Sequence, residues 1–246
     1  MQRLVIDPAQ LSAQSIALTP SQQHYLLRVL RLGQGDRFVA MNGQGQAWIA
    51  QLMPPDGTDS WLAAILEPVT VATELPIAVT LVMALPKGNG FDDVVRQATE
   101  LGVSCIAPVI SDRTLLNPSP QKLERWRRIA QEAAEQSERQ IVPTILEPVP
   151  FRASLAALPT GTIAYLCVTR QSSPHLLACL FTVLPKRPSA VTIAIGAEGG
   201  WTDAEVDQAI AVGYQPVSLG SRILRAVTAP LTALSLVAAV CEQSSS

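Results

Sequence analysis

The sequence predicts a small, mostly β N-terminal domain followed by a larger α/β domain with a parallel sheet. Short apolar strands and turns fill about the first seventy residues, and apolar segments alternate with helical windows from Ile77 onward. The length of 246 residues with 48% hydrophobic content exceeds one typical domain of roughly 100 to 200 residues. We therefore place the domains at residues 1–72 and 73–246.

The N-terminal domain is predicted to contain one helical segment among strands. Thr19 can cap this segment, Pro20 suits its first position, and apolar residues recur at helical spacing as far as Leu30. Three apolar segments are predicted strands: 38–41, 47–52 and 61–66. The turn at Asn42 and Gly43 separates the first two strands, because both residues tolerate the positive φ of a tight hairpin.

The second domain is predicted from strands and helices in alternation. The predicted strands are 77–83, 105–110, 162–168, 190–196 and 215–218, and the predicted helices are 91–101, one from residue 120, 174–181, 202–211 and 226–241. This order is typical of a parallel sheet with helices on its faces. Ligands bind beyond the carboxyl ends of such strands, so we expect the chemistry in the loops after Val168, Ile195 and Leu219.

Charge and composition exclude several protein classes. With 18 Lys and Arg against 20 Asp and Glu, the net charge of -2 excludes binding of nucleic acid or membrane by bulk positive charge. The longest apolar run, 226–240, is shorter than the roughly 20 residues that span a bilayer. The four cysteines have neither paired spacing nor disulfide density, so we expect a cytoplasmic protein without structural zinc or a membrane span.

The most informative stretch is AIGAEGGWTDAEV, residues 194–206. Gly196 and Gly200 follow an apolar strand, and Thr202 with Glu205 makes a capping box for the next helix. Glycines at a strand end leave backbone N–H groups open to a ligand, although a plain strand-to-helix turn is the alternative interpretation. The GxGxxG spacing of a dinucleotide site is absent.

Basic residues occur in three places of interest. Arg222 and Arg225 lie in the otherwise apolar stretch 218–234, where a buried charge would need a partner. Lys122, Arg125, Arg127 and Arg128 cluster on the predicted helix that begins at residue 120, and its apolar stripe leaves Arg125 and Arg128 facing elsewhere. A smaller patch contains Arg28 and Arg31. The alternative to RNA binding for such groups is a solvated basic face.

GAEGGWTDAE and LGSRILRAVTA together resemble the paired C-terminal signatures of the SPOUT class of methyltransferases, and specifically the 16S ribosomal RNA (uracil-N3) methyltransferase family. Three upstream segments resemble the motifs of that family in their order: HYLLRVLRLGQGD at 24–36, LPKGNGFDDVVRQATELGV at 85–103, and RIAQEAAEQSERQIVP at 128–143. The resemblance covers nearly the whole chain.

The resemblance implies a parallel sheet whose C-terminal segment threads through a loop as a trefoil knot, an exception to the rule that chains stay unthreaded. It also implies a PUA-like β-barrel domain at 1–72 that binds RNA, and a methyltransferase domain at 73–246. It further implies S-adenosylmethionine as methyl donor, 16S ribosomal RNA or the small ribosomal subunit as partner, and a homodimer with each active site near the subunit boundary.

Carried over position by position, the resemblance implies a cofactor pocket at the strand ends and glycine loops. The implied cofactor-binding residues are Leu166, Cys167, Val168, Gly196, Glu198, Gly200, Leu219, Gly220, Ile223, Leu224 and Arg225. Two positions depart from the family pattern: Ala197 replaces the usual proline, and Val227 replaces the usual glutamate.

Methylation at uracil N3 requires removal of its proton, and therefore a base or a cation that stabilises the negative charge on the ring oxygens. Glu198 is the candidate base, with a hydrogen bond to the adjacent glycine turn as the alternative, and Arg225 is the candidate stabilising cation. The candidate RNA-binding residues are Arg28, Arg31, Lys122, Arg125 and Arg128.

Two other functions stay open at this point. The first is a knotted methyltransferase that acts on another atom, such as the ribose 2′-oxygen, and the LPKGNGFDDVVRQATELG match argues against it. The second is a non-catalytic RNA-binding or assembly protein, which the loss of the glutamate at Val227 favours.

Overall fold

The computed structural model describes residues 1–55, 60–70, 72–114, 118–157, 161–184 and 188–243. The chain forms two compact units: the first comprises 1–74 and 134–142, and the second comprises 75–133 and 143–246. The segment 134–142, which the sequence analysis assigned to the second domain, therefore packs with the first unit.

The first unit is built on a five-stranded sheet with the order β1-β3-β4-β5-β2. Its strands are β1 (Arg3–Val5), β2 (Ser15–Ala17), β3 (Arg37–Met41), β4 (Ala47–Met53) and β5 (Leu62–Pro68). β1 pairs with β3 in parallel, and the remaining pairs are antiparallel. Side chains such as Ile6, Phe38 and Leu52 meet in one apolar core on this sheet.

The predicted helical segment of the first unit is present, but it changes type along its length. α1 (Pro20–Gln23) begins with a capping box, because the Thr19 hydroxyl accepts the Gln22 N–H and the Gln22 side chain accepts the Thr19 N–H. The chain continues as a π-helix over His24–Val29. The wider turn lets the Leu30 N–H reach the Tyr25 carbonyl, five residues back.

The segment 134–142 is tied to the first unit by a buried ion pair. Arg139, whose side chain is 2% exposed, donates from Nη2 to Oε2 of Glu74 at 2.7 Å. The other oxygen of Glu74 accepts the backbone N–H groups of Gln140 and Ile141. These hydrogen bonds compensate the free-energy cost of removing the carboxylate from water. These partners are far from Glu74 in sequence, so no local pattern indicates the contact.

The second unit is an entirely parallel sheet with the order β12-β10-β11-β6-β7-β8, in which β9 also pairs with β7. The strands are β6 (Ala78–Ala84), β7 (Cys105–Ile110), β8 (Thr144–Ile145), β9 (Val149–Pro150), β10 (Thr162–Cys167), β11 (Ala190–Ile195) and β12 (Tyr214–Val217). The predicted α/β class with a parallel sheet is confirmed.

Helices cover this sheet. They are α2 (Gly90–Glu100), α3 (Pro120–Gln136), α4 (Phe151–Ser154), α5 (Leu176–Val183), α6 (Asp203–Ala211) and α7 (Thr228–Gln243). Residues of α4 and α6 pack with alternate strand residues such as Val82 and Ala194 in one apolar cluster. α7 packs against β11, α2 and α5. Within the described ranges, no helix combines the length and hydropathy needed to cross a membrane.

Candidate functional site

A cavity of about 400 Å³ lies at the carboxyl ends of β10, β11 and β12. These strands are parallel neighbours, so the loops that follow them meet at one edge of the sheet. The predicted pocket residues that line the cavity are Cys167, Val168, Gly196, Glu198, Gly200, Leu219, Gly220, Ile223 and Leu224.

Two residues of the predicted pocket lie elsewhere. Leu166 is fully buried in the apolar core, one residue before the lining begins at Cys167. Arg225 is exposed, and its carbonyl accepts the N–H groups of Thr228 and Ala229 at 2.9 and 3.0 Å, at the start of α7. The arginine that lines the cavity from this stretch is Arg222.

We define the glycine loop as residues 196–202. A Cβ at Gly196 would lie 3.1 Å from the carbonyl carbon of Gly200, so this close approach requires glycine. Gly200 has a φ of 70°, in the left-handed region that glycine adopts without strain, and its N–H donates to the Ala197 carbonyl at 2.8 Å. Gly196 is therefore required for a close approach of two backbone segments, and Gly200 for a positive φ.

Groups from two other loops hold the glycine loop: the backbone of Lys87 and the side chain of Arg113. Oε1 of Glu198 accepts the backbone N–H of Lys87, which follows β6, at 2.9 Å. Arg113, which follows β7, donates from Nη1 to the Gly199 carbonyl. Glu198 thus bonds to a neighbouring loop, whereas its alternative structural role was expected within the glycine turn. Among the described residues, its second carboxylate oxygen has no hydrogen-bond partner.

Glu205 is the buried centre of this arrangement, with 5% of its surface exposed. Oε2 accepts the Thr202 N–H at 2.8 Å, which completes the predicted capping box. Oε1 accepts the N–H of Asp112 at 2.9 Å, which ties the start of α6 to the loop after β7. These hydrogen bonds compensate the burial of the carboxylate.

We define the arginine loop as residues 218–227. It is anchored at its start, where the Ser218 N–H donates to the Pro174 carbonyl and the Leu176 N–H donates to the Ser218 carbonyl, both at 2.9 Å. Gly220 has a φ of 112°. The next residues are exposed, and Ile223 presents 66% of its surface.

Cys167, at the end of β10, lines the cavity. Burial raises the pKa of its thiol to about 12. The group is therefore a neutral, apolar part of the wall at physiological pH.

The basic face of α3 is paired with carboxylates. Arg125 donates from Nε to Oδ2 of Asp92 at 2.8 Å. Arg128 lies 3.6 Å from Glu132. Arg127 contacts both Glu124 and Glu147, at 2.6 and 3.3 Å. Arg125 and Arg128, which were selected for RNA binding, are thus paired with carboxylates, whereas Lys122 has no ion pair among the described residues. In the first unit, Arg28 and Arg31 are exposed at the end of the π-helix, beside exposed Val29.

Comparison with known proteins identifies the family. An RNA methyltransferase domain matches residues 73–238, and an RNA methyltransferase PUA domain matches residues 18–55. The chain is 50% identical over 242 residues to ribosomal RNA small subunit methyltransferase E of Synechocystis sp., covering 98% of this chain and 78% of the relative. The Bacillus subtilis protein of that name is 31% identical, over 92% of this chain and 90% of the relative. The chain belongs to the ribosomal RNA small subunit methyltransferase E family.

The fold agrees with a solved member of this family. The crystal structure of ribosomal RNA small subunit methyltransferase E from Neisseria gonorrhoeae, bound to S-adenosylmethionine, is similar to this chain with a TM-score of 0.83 and 32% sequence identity. The similarity covers 96% of this chain and 95% of the other.

The two departures from the family pattern are accommodated by packing. Ala197 is buried, with 6% of its surface exposed, among the core residues under the glycine loop. Val227 packs against the start of α2, because its Cγ1 lies 2.8 Å from the position that a Cβ on Gly90 would take. The half-buried valine thus makes an apolar contact with the start of α2.

The cavity is also lined by three arginines that were not predicted as pocket residues: Arg113, Arg170 and Arg222. A partial signal existed for two of them. Arg170 follows the strand end at which a ligand was expected, and Arg222 stood out as a charge in an apolar stretch. Arg113 carried no such signal, because its contact with Gly199 joins residues that are distant in sequence.

Proposed function

We propose that this enzyme transfers a methyl group from S-adenosylmethionine to N3 of a uridine in 16S ribosomal RNA. The observation that carries the proposal is the cavity at the ends of β10, β11 and β12, formed by the motif segments that define the family resemblance. Membership of a ribosomal RNA methyltransferase family supports the reaction class, and the solved relative with bound S-adenosylmethionine supports the donor.

The cavity fits the proposed donor. Its volume of about 400 Å³ lies within the range of roughly 300 to 1,000 Å³ typical of ligand sites. Val168, Leu219 and Leu224 offer apolar walls for a flat adenine. Gly220 lines the cavity, and an added Cβ there would lie in ordinary van der Waals contact with side-chain atoms 3.9 and 4.0 Å away. When bound, the donor supplies a methyl group already activated on its sulfonium.

We propose catalytic roles for two residues of this chain. Arg225 stays protonated and would stabilise negative charge on the uracil oxygens as the N3 proton leaves. Its exposure and its position directly after Leu224 of the cavity wall support this role. Glu198 would accept the proton through the carboxylate oxygen that the Lys87 N–H leaves free, while that hydrogen bond orients the group.

We propose that residues 1–72 are a PUA-like RNA-binding domain that uses Arg28 and Arg31, and that the domain at 73–246 carries the reaction. The family match at 18–55 supports the first part. We also propose a trefoil knot at the C-terminus. β12 lies at the sheet edge beside β10, yet the chain returns to α7 against β11 and α2, a path that supports threading.

We further propose a homodimer that acts in the cytoplasm on 16S ribosomal RNA or the small ribosomal subunit. The small residues of α7, Ala229 and Ala233 among them, suit close helix packing. Light scattering is expected to give twice the monomer mass at micromolar concentration, and a monomer would refute the dimer.

The reaction is tested by incubating the protein with S-adenosylmethionine and 16S ribosomal RNA, and in parallel with small ribosomal subunits. Digestion and mass spectrometry of the nucleosides distinguish 3-methyluridine from 2′-O-methyluridine by retention against standards. We expect 3-methyluridine. The ribose product would favour the alternative target atom. No product together with no calorimetric binding of S-adenosylmethionine would favour a non-catalytic RNA-binding protein.

A further inference from the structure

A second depression, of about 450 Å³, adjoins the proposed cofactor cavity. The two share a wall that includes Thr169, Arg170, Arg222 and Ile223. The second depression extends from this wall to the hydroxyl side chain of Ser221. Its described lining therefore combines two guanidinium groups with hydroxyl and amide groups, and it contains no carboxylate. Such a lining suits an anion that accepts hydrogen bonds.

The two arginines of the shared wall are available for a ligand. Both are exposed, and within the described part of the chain neither guanidinium has an ion pair or a hydrogen bond. The arginines of α3 differ, because Arg125, Arg127 and Arg128 each contact a carboxylate. Arg170 and Arg222 are thus unpaired beside the cofactor cavity, whereas these three arginines of α3 are paired.

The backbone at Arg170 provides a separate observation. Its φ is 62°, in the left-handed region that residues other than glycine seldom adopt. Strained conformations of this kind cluster at ligand-binding sites, where the strain places a side chain that a relaxed loop would direct elsewhere. The conformation sets Arg170 in the wall that the two depressions share.

Exposed Ile223 indicates which anion fits. It lies between the two depressions and presents 66% of its surface. A nucleobase offers an apolar face next to a phosphodiester, whereas free phosphate offers none. We infer that Arg170 and Arg222 bind phosphodiester groups of the RNA next to the target uridine, with Ile223 against a neighbouring base. This inference rests on the proposed function and names how the same site recognises its RNA.

The inference is tested by the salt dependence of binding of a short fluorescein-labelled oligouridylate, measured by anisotropy. Each phosphate contact contributes about 0.7 to the slope of log K against log salt for single strands. The double variant Arg170→Ala, Arg222→Ala is expected to lose about 1.4 from this slope. The matched control, Arg127→Ala, Arg128→Ala on α3, is expected to lose less than half as much. Equal losses in the two variants, or an unchanged slope in the first, would overturn the inference.

Two further measurements follow. One distinguishes the charge of the arginines from the shape of the guanidinium group, and the other distinguishes RNA binding from donor binding. Arg170→Lys, Arg222→Lys keeps the charges and is expected to retain most of the slope, so a loss equal to that of the alanine variant would refute phosphate binding. Calorimetry with S-adenosylmethionine is expected to give affinities within about twofold of the parent. A tenfold weakening with an unchanged RNA slope would instead assign the arginines to the donor's carboxylate, against the inference.

The binding readout does not depend on turnover. A protein that shows the expected loss of slope but makes no 3-methyluridine would refute the proposed reaction and leave the RNA subsite standing. A protein that makes 3-methyluridine, with an unchanged slope in the double variant, would refute the RNA subsite and leave the proposed reaction standing.

Discussion

The glycine loop and the arginine loop line the same cavity, but they are held in opposite ways. The glycine loop is fixed along its length by groups from elsewhere: Lys87 binds Glu198, Arg113 binds the Gly199 carbonyl, and Glu205 at the start of α6 binds the loop after β7. Its geometry is therefore set before any ligand arrives.

The arginine loop is fixed at its two ends. Ser218 exchanges backbone hydrogen bonds with Pro174 and Leu176, and the Arg225 carbonyl accepts the first N–H groups of α7. Between these anchors, residues 221–223 are exposed, and Leu219, Gly220 and Leu224 are half-buried. A fixed loop lowers the cost of ordering a small ligand, whereas an exposed loop presents side chains to a large one. We therefore expect changes in the glycine loop and at the anchored start of the arginine loop to affect stability and donor affinity, and changes at the exposed residues of the arginine loop to affect the RNA steps.

The largest expected effect comes from Arg225→Ala in the arginine loop. Loss of one preorganised contact to the transition state typically costs about 2.7 to 4 kcal/mol, or roughly a hundred to a thousandfold in rate. We expect a slow single-turnover rate at saturating RNA and donor, with unchanged calorimetric affinity for S-adenosylmethionine.

Arg225→Lys serves as the companion variant for this prediction. A lysine keeps the charge but loses the planar fork, so it should recover more activity if Arg225 neutralises a phosphate than if it contacts the uracil ring. Full single-turnover activity in Arg225→Ala would end the catalytic assignment and leave Glu198 as the remaining candidate.

Glu205→Ala tests the fixed loop. The change leaves the N–H groups of Thr202 and Asp112 without their acceptor, and we expect a loss of about 1 to 3 kcal/mol in the free energy of unfolding together with weaker donor binding. Glu132→Ala is the control, because Glu132 is an exposed partner of Arg128 on α3 and is expected to cost at most about 1 kcal/mol. Equal losses in urea denaturation would show that the loop does not depend on Glu205.

Gly220→Val places a side chain at the anchored start of the arginine loop. With φ at 112°, any side chain costs about 1 to 2 kcal/mol of backbone strain, and the added methyl groups also occupy the cavity. We expect loss of stability and loss of calorimetric affinity for the donor.

Gly45→Val separates the two causes. Gly45 has a φ of 98° with open space around it and lies in the first unit, so it should show the stability cost with donor affinity unchanged. Unchanged donor affinity in folded Gly220→Val would contradict the assignment of this position to the pocket.

Local sequence signals predicted the elements that local interactions form. The helix cap at Thr19, the capping box at Thr202 and the alternation of apolar strands with helices appear in the structure where the pattern placed them. β1, β2, β8 and β9 were missed, because strands of two or three residues are too short to show periodicity. The π-helical continuation of α1 was missed because its apolar spacing fits an α-helix equally well.

Contacts between distant residues set the limit of prediction at the site. The glycine loop was recognised from its composition, but the groups that hold it, such as Lys87 and Arg113, lie on other loops. The basic residues of α3 were counted correctly as a cluster, yet the sequence does not show that Asp92 and Glu147 pair with them. A count of charges therefore does not predict which charges are available to RNA.

The smallest effect is expected when the native protein is treated with a thiol-labelling reagent. Burial raises the pKa of the Cys167 thiol to about 12, so at pH 8 only about one thiol in ten thousand is the reactive thiolate. Iodoacetamide followed by peptide mass spectrometry should therefore label Cys167 very slowly in the folded protein and readily in urea. Because Cys167 ends β10 and lines the cavity, its labelling rate reports how often this strand end opens. Rapid labelling at neutral pH would show that the strand end opens freely, and the expectation of a cavity whose geometry is set before a ligand arrives would then be wrong.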